Sequence, residues 1–64
     1  MNLWVNGKQH RTEAATLVAL VAELGLPERA ILIEQNGVAL RRDEWQRDLR
    51  EGDRLEVVRI VAGG

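Results

Sequence analysis

Residues 54–61 read RLEVVRIV, a run in which apolar side chains occupy both odd and even positions. In a β-strand, odd and even side chains point to opposite faces of the sheet. Apolar residues on both faces of a strand indicate a central position in the sheet. The run therefore predicts a central strand, and the polar turn Glu51-Gly52-Asp53 leads into it.

The first residues of the chain predict a hairpin. Apolar and polar residues alternate over 1–5, which is the period of a half-buried strand. The pair Asn6-Gly7 follows, and both residue types tolerate the positive φ of a type I′ turn. Residues 8–12 are polar, which suits an edge strand. We expect the first strand to lie inside the sheet and the second at its edge.

A second hairpin is predicted after residue 30. Residues 30–35 are rich in β-branched side chains, Asn36-Gly37 repeats the turn signal, and residues 38–40 form a short return strand. Residues 41–54 are mostly charged and contain Trp45 and Leu49 as isolated apolar anchors. This segment is either a loop with one helical turn or a short second helix, and we favour the loop.

Residues 17–24 predict the main helix. Thr16 is a suitable N-cap and Gly25 a suitable left-handed residue after the helix, and Pro27 prevents its continuation. The apolar residues recur at helical spacing and form one face: Leu17, Leu20, Val21 and Leu24.

The order of these elements predicts an α+β protein with the β-grasp (ubiquitin-like) fold, a mixed sheet of four to five strands over one main helix. The last strand should lie parallel beside the first. We expect a β-grasp domain over 1–61 and a flexible tail over 62–64. Strand alternation predicts the side chains covered by the helix: Leu3, Val5, Ile31, Ile33, Leu55 and Val57. It places four others on the opposite, open face: Trp4, Leu32, Val58 and Ile60.

Composition excludes several classes of function. The 64 residues have a net charge of −1 and no cysteine, so disulfides and thiolate metal sites are excluded. The near balance of charge predicts no nucleic acid and no membrane surface as partners. Apolar runs fall short of the ~20 residues of a membrane span, and no signal peptide is recognisable, so we expect a cytoplasmic protein. No set of residues suggests a nucleophile with its base, so we do not expect an enzyme.

Several segments, taken together, resemble the ThiS family of sulfur carriers of thiamine biosynthesis. The segments that carry the resemblance are 2–7, 15–26, 36–37 followed by 44–45, 51–58, and the terminal Gly63-Gly64. Two positions depart from the family's pattern. Gln35 stands where an apolar residue is frequent, and Arg41-Arg42 stands where a proline-arginine pair is frequent.

The resemblance implies a mechanism. The carboxylate of Gly64 would be adenylated by an E1-like ATP-dependent adenylyltransferase of the ThiF type, and sulfur would displace AMP to leave a thiocarboxylate. A thiazole synthase of the ThiG type would then take the sulfur. The chain would be a protein co-substrate with no permanently bound cofactor, and ATP would be used by the partner enzyme.

The residues of the tail suit this chemistry. An α-carboxyl group has a pKa of about 3.5 and is an anion at neutral pH. Gly63 lacks a Cβ and Ala62 is small, so both suit threading through a narrow channel. The alternative is that the Gly-Gly end is a frayed terminus with no role.

A second candidate site lies on the sheet. Four of the predicted partner-binding residues, Trp4, Leu32, Val58 and Ile60, form an apolar patch beside the tail. The fifth, Arg59, emerges close to the tail and suits pairing with a carboxylate of an enzyme. The alternatives are that Trp4 packs against the edge strand and that Arg59 is simply solvated.

Other conspicuous residues predict no chemistry. Trp45 is interpreted as a plug for the end of the core and His10 as a surface histidine. Five acidic residues alternate with arginines and are interpreted as a solvated face: Asp43, Glu44, Asp48, Glu51 and Asp53.

Three alternatives to the thiamine pathway remain at this stage. The chain could be another β-grasp sulfur carrier, serving molybdopterin, tRNA thiolation or cysteine synthesis. It could be a protein modifier whose Gly64 forms an isopeptide bond. It could also be an interaction module with an inert tail.

Overall fold

The computed structural model describes residues 1–61, which form five β-strands, one α-helix and two 3-10 turns. The strands are β1 (Asn2–Val5), β2 (Lys8–Arg11), β3 (Ile31–Gln35), β4 (Val38–Leu40) and β5 (Arg54–Arg59). The helix α1 spans Leu17–Glu23, and the 3-10 turns span Glu28–Ala30 and Arg42–Glu44. The predicted tail, residues 62–64, lies outside the described residues.

The sheet has the strand order β2-β1-β5-β3-β4. Strands β1 and β5 are parallel, and the other neighbouring pairs are antiparallel. This is the predicted β-grasp arrangement. It confirms β5 as the central strand, β2 as an edge strand, and the parallel pairing of the first and last strands.

Both Asn-Gly turns have the predicted type I′ geometry. Asn6 and Gly7 have φ values of 51° and 80°, and Asn36 and Gly37 have values of 52° and 85°. Each asparagine also binds β5 through its side chain. The Oδ1 of Asn6 accepts from the N–H of Val57 at 2.7 Å, and that of Asn36 accepts from an N–H at the start of β5 at 2.8 Å.

The ends of α1 match the sequence signals. The hydroxyl of Thr16 accepts from the N–H of Ala19 at 3.2 Å, as an N-cap does. At the other end Gly25 has φ 67°, and the N–H of Leu26 donates to the carbonyl of Val21 at 3.2 Å. These contacts form a Schellman motif, which satisfies carbonyls that the helix leaves unpaired.

The loop between β4 and β5 closes the N-terminal end of α1. The N–H of Val18 donates to the carbonyl of Trp45 at 2.8 Å, and that of Leu17 donates to the carbonyl of Arg47 at 3.1 Å. The side chain of Trp45 is only 2% exposed. The prediction of a loop with one helical turn and a buried tryptophan plug is confirmed.

One cluster of apolar side chains lies between the sheet and α1, and the loop closes its end. Its buried members are Leu3, Leu17, Leu20, Val21, Ile31, Ile33, Leu40, Trp45, Leu49 and Leu55. The predicted face residues Val5 and Val57 pack against it from half-buried positions. Among residues 1–61, no helix is long and apolar enough to span a membrane.

The expectation that Asp53 is a solvated surface acid is wrong. Asp53 is 8% exposed, and its carboxylate accepts from Asn36 Nδ2 at 3.0 Å, from Gln35 Nε2 at 3.0 Å and from the N–H of Arg50 at 2.9 Å. Burial alone would raise the pKa of Asp53, but the hydrogen bonds from Asn36, Arg50 and Gln35 outweigh it and lower the pKa. This contact satisfies the Nε2 of the polar Gln35, whereas its Oε1 is buried with no hydrogen-bond partner among the described residues.

Glu51 is exposed, as predicted, and both of its carboxylate oxygens accept from the N–H of Asn2, at 3.0 and 3.1 Å, so it is also bonded to β1. Thr12, predicted at the end of the exposed polar strand, is buried. Its hydroxyl donates to Glu23 at 2.8 Å and accepts from the N–H of Ala14 at 2.9 Å. These partners satisfy the hydroxyl and allow its burial.

Asp53→Asn should lower the free energy of unfolding by about 2 kcal/mol at pH 7, since hydrogen bonds to a buried charge are lost. The pKa of Asp53 is lower in the folded than in the unfolded chain. Its stabilisation is therefore complete above the ordinary carboxyl pKa of about 4 and is lost as pH falls through the folded value. Urea unfolding at several pH values should show the difference between wild type and variant shrinking toward low pH.

The matched control is Asp48→Asn, which removes the same charge from an exposed side chain of the preceding loop. It should change the free energy of unfolding by less than about 0.5 kcal/mol. Equal destabilisation by the two variants would contradict the structural role assigned to Asp53.

Candidate functional site

The chain leaves the sheet at the end of β5. The N–H of Ile60 donates to the carbonyl of Ala30 at 2.6 Å, which holds the residue after β5 beside the start of β3. Val61, the next residue, is 82% exposed. The predicted functional residues Ala62, Gly63 and Gly64 lie outside the described residues. The structure therefore shows the last contact with the sheet before the predicted tail.

The apolar patch comprises Trp4 on β1, Leu32 on β3, and Val58 and Ile60 on and just after β5. All four side chains are between 42% and 58% exposed, as predicted for the open face of the sheet. Leu32 and Val58 lie directly opposite each other in the antiparallel pair of β3 and β5. The exposure of Trp4 argues against the alternative in which it is packed away against β2. The patch is not continuous, because Trp4 lies opposite the first residue of β5, four residues before Val58, with an in-register pair of acidic side chains in between. The prediction that Trp4 lies beside the tail is therefore wrong. Exposed apolar side chains often mark interaction sites, and the binding role of the apolar patch stays a prediction.

Arg59 lies on the other side of the sheet. It has the same parity along β5 as the buried Leu55, and it lines a groove of about 340 Å³ together with Leu24, Leu26 and Val57. The sequence correctly placed Arg59 near the base of the tail. The structure separates it from the apolar patch, because consecutive side chains of a strand point to opposite faces. Its predicted pairing with an enzyme carboxylate stays a prediction.

His10 is half-buried and pairs with α1. Its Nε2 lies 3.0 Å from Glu23 Oε2, and the other oxygen of Glu23 accepts from the hydroxyl of Thr12. Hydrogen bonds from His10 and then Thr12 lower the pKa of Glu23. Through these contacts His10 of the edge strand β2 and Thr12, just after that strand, are both joined to Glu23 of α1. Sequence reasoning missed this cluster, because both partners of Glu23 lie more than ten residues away from it along the chain.

The described residues offer no obvious metal centre. Among residues 1–61, no group of three or more His, Cys, Asp or Glu side chains is arranged to hold a metal ion. Arg42 lies 4.5 Å above the centre of the Trp45 ring and pairs with Glu28 at 2.8 Å. Stacking of this kind shields the plug from solvent.

Comparison with known proteins gives consistent similarities. The sequence model of the ThiS family matches residues 3–64. The sulfur carrier protein ThiS of Thermus thermophilus is 33% identical over 63 residues, which cover 97% of this chain and 98% of that protein. A thiazole synthase of Paramagnetospirillum magneticum is 33% identical over 66 residues, covering all of this chain. The chain spans only 20% of the length of that second relative.

Solved structures show the same fold. The crystal structure of the thiamine biosynthesis protein ThiS from Geobacter metallireducens has a TM-score of 0.84 and 29% identity, with each chain covered completely. An NMR solution structure of a thiamine biosynthesis protein from the same organism has a TM-score of 0.80 and 29% identity. It is matched over 100% of this chain and 88% of that chain.

Substitutions at neighbouring positions of β3 should change the free energy of unfolding by different amounts, because their side chains lie on opposite faces of the sheet. Leu32→Ser removes an exposed side chain and should cost less than about 1 kcal/mol of unfolding free energy. Ile33→Ala removes part of a buried one and should cost about 2–4 kcal/mol. Chemical denaturation of both variants measures the difference. A cost at Leu32 as large as that at Ile33 would show that the open face is packed in solution.

Proposed function

The chain belongs to the ThiS family, and on that premise we propose that it is a sulfur carrier of thiamine biosynthesis that holds sulfur as a thiocarboxylate of Gly64. The observation that supports the proposal most directly is the family match, which runs through the last residue of the chain. The match covers the Gly63-Gly64 end as well as the β-grasp body.

In the proposed first step, an oxygen of the Gly64 carboxylate attacks the α-phosphorus of ATP. Pyrophosphate leaves, and the product is an acyl-adenylate. The carboxylate is ionised at neutral pH because the pKa of an α-carboxyl group is about 3.5. An E1-like adenylyltransferase supplies the catalysis and binds the ATP. The carrier supplies the carboxylate and needs no bound cofactor of its own.

In the proposed second step, hydrosulfide, a donor at the sulfide oxidation level, attacks the carbonyl carbon of the acyl-adenylate. The carbon–oxygen bond to phosphate breaks, AMP leaves with the electron pair, and loss of the S–H proton leaves Gly64 as a thiocarboxylate. Adenylation is required because a free carboxylate is a poor acyl donor, whereas an acyl-adenylate carries a good leaving group. We propose the cytoplasm as the location of this ATP-dependent chemistry.

The fold determines the point on the sheet from which the tail extends. The sheet holds β5 up to Ile60, and residues 61–64 then reach at most roughly 14 Å when extended. That reach allows Gly64 to enter a nucleotide site while the domain stays outside. Leu32, Val58 and Ile60 lie near the base of the tail on the open face, whereas Arg59 lies there on the opposite face. A partner that surrounds the tail therefore meets both faces. We propose that the apolar patch contacts the adenylyltransferase and that Arg59 pairs with an acidic side chain of a partner.

Thiazole synthase is the proposed acceptor of the sulfur. Support comes from the Paramagnetospirillum magneticum protein named thiazole synthase, a fifth of which is similar to this whole chain. A single polypeptide that combines a carrier-like region with a synthase indicates that the two act together. This similarity favours the thiamine pathway over molybdopterin, tRNA thiolation or cysteine synthesis, and over a protein modifier.

Incubation with an E1-like adenylyltransferase, ATP and a sulfur donor should raise the intact mass by the difference between sulfur and oxygen. Deletion of Gly64 should abolish this gain, because the terminal carboxylate would then end one residue short of the nucleotide site. Intact-mass spectrometry measures both. Subsequent transfer to thiazole synthase should return the mass to its starting value. A gain that survives deletion of Gly64, or an isopeptide bond to a lysine as the product, would overturn the proposal.

Gly64→Ala should reduce kcat/KM for adenylation about tenfold or more, since an added Cβ displaces the carboxylate in a narrow channel. Steady-state pyrophosphate release measures the rate. The thermal midpoint should be unchanged, because residue 64 lies beyond the core-forming segments. A matched control is Val61→Ala, an exposed position at the base of the tail, which should retain most of the rate.

A further inference from the structure

The open face of the sheet contains two acidic side chains directly opposite each other. Glu34 of β3 and Glu56 of β5 are paired in register, and both side chains are exposed. We call these two residues the acidic pair. Like charges placed directly opposite on neighbouring strands repel each other and destabilise the sheet. The free protein therefore carries an electrostatic cost at the centre of this face.

No cation within the described residues offsets the acidic pair at close range. None of the ion pairs found among residues 1–61 includes Glu34 or Glu56. Arg54 lies on the same face two residues before Glu56 and forms no ion pair with either acid. The centre of the open face therefore has two negative charges against one positive charge.

The acidic pair lies between Trp4 and the other residues of the apolar patch. The adjoining pair along β3 and β5 is Leu32 and Val58, two residues nearer the tail, a distance of about 7 Å along a strand. On the side of the acidic pair that faces away from the tail, Glu56 lines a depression of about 270 Å³ together with the exposed ring of Trp4. A surface that covers the apolar patch would consequently also cover the acidic pair.

We propose that the acidic pair is a specificity determinant that receives a basic side chain of the adenylyltransferase. This inference rests on the proposed carrier function. The complementary surface has an apolar centre over Leu32 and Val58 and a lysine or, better, an arginine about 7 Å farther from the nucleotide site. An arginine fork donates to two carboxylates at once and can lie against an aromatic ring, as the Trp4 ring beside Glu56 allows.

The assigned role predicts opposite effects on stability and on binding. Removing one charge of the acidic pair relieves repulsion in the free protein, so the thermal midpoint rises. The same change removes a partner for the incoming cation, so the affinity falls. A residue that is only part of a solvated surface would show neither effect, and a residue needed for folding would lower the midpoint.

The test uses Glu34→Gln and Glu56→Gln in the full chain, with Glu13→Gln as the control. Glu13 is an exposed acid of the β2–α1 connection, so the change in net charge is the same. At low salt each of the first two variants should raise the thermal midpoint by about 1–4 °C. Each should also weaken binding to the adenylyltransferase about fivefold in titration calorimetry. Both differences should shrink at high salt, because screening weakens charge interactions. Glu13→Gln should change neither quantity.

Charge reversal gives a stronger contrast. Glu56→Lys should raise the midpoint further, because it places opposite charges across the strands, and should weaken binding more than Glu56→Gln. Unchanged affinity in all three variants, or a loss equal to that of Glu13→Gln, would overturn the inference. So would a loss of affinity confined to thiazole synthase.

The intact-mass measurement separates this inference from the proposed function. If the wild-type chain gains sulfur but the variants bind as tightly as wild type, the carrier function stands and the inference fails. If the wild-type chain gains no sulfur while the variants bind more weakly as predicted, the carrier chemistry fails and the acidic pair remains a determinant of binding.

Discussion

The hydrogen bonding of β5 on both of its edges is the constraint on which the rest of the structure depends. The parallel pairing with β1 is short, with Trp4 opposite Arg54 and Val5 opposite Leu55. The side chain of Asn6 continues it, since its Oδ1 accepts from Val57 while its N–H donates to Leu55 at 2.8 Å. A turn residue thus completes a ladder that the strand is too short to complete. Because β5 is held in this way, both the open face and the start of the tail have fixed positions.

The loop between β4 and β5 caps the N-terminal end of α1 and also covers one end of the core. The first N–H groups of a helix have no partner within the helix itself. In α1 they donate to the carbonyls of Trp45 and Arg47, to the Thr16 hydroxyl, and in the case of Leu20 to the Thr16 carbonyl. The same contacts place the indole of Trp45 over the end of the core. Burial of the tryptophan and capping of the helix are consequences of one chain path.

Much of the fold was predictable because its signals are local. Asn-Gly pairs, the Thr16 cap and the Gly25 stop act over a few residues, and strand alternation assigned Trp4 and Leu32 to the open face. The partners of Asp53 were not predictable, since Gln35 and Asn36 lie 18 and 17 positions away and composition alone cannot show which acid finds donors. The same limit hid the pairing of His10 with Glu23. Strand parity was sufficient to place Arg59 on the face opposite the apolar patch, but the prediction grouped it with the patch because it is close to the tail in sequence. The residues of the predicted tail lie outside the described part of the chain.

The two tryptophans differ in environment in a way that makes the chain its own optical probe. The sequence has no tyrosine or phenylalanine, so its intrinsic fluorescence comes from Trp4 and Trp45 alone. Trp45 is buried beneath the stacked Arg42, whereas the ring of Trp4 is 42% exposed. A dissolved quencher such as acrylamide reaches the exposed indole first. Emission from the buried indole follows global unfolding, and emission from the exposed one follows events at the surface of the sheet. One unlabelled sample therefore reports folding and surface contact through separable signals.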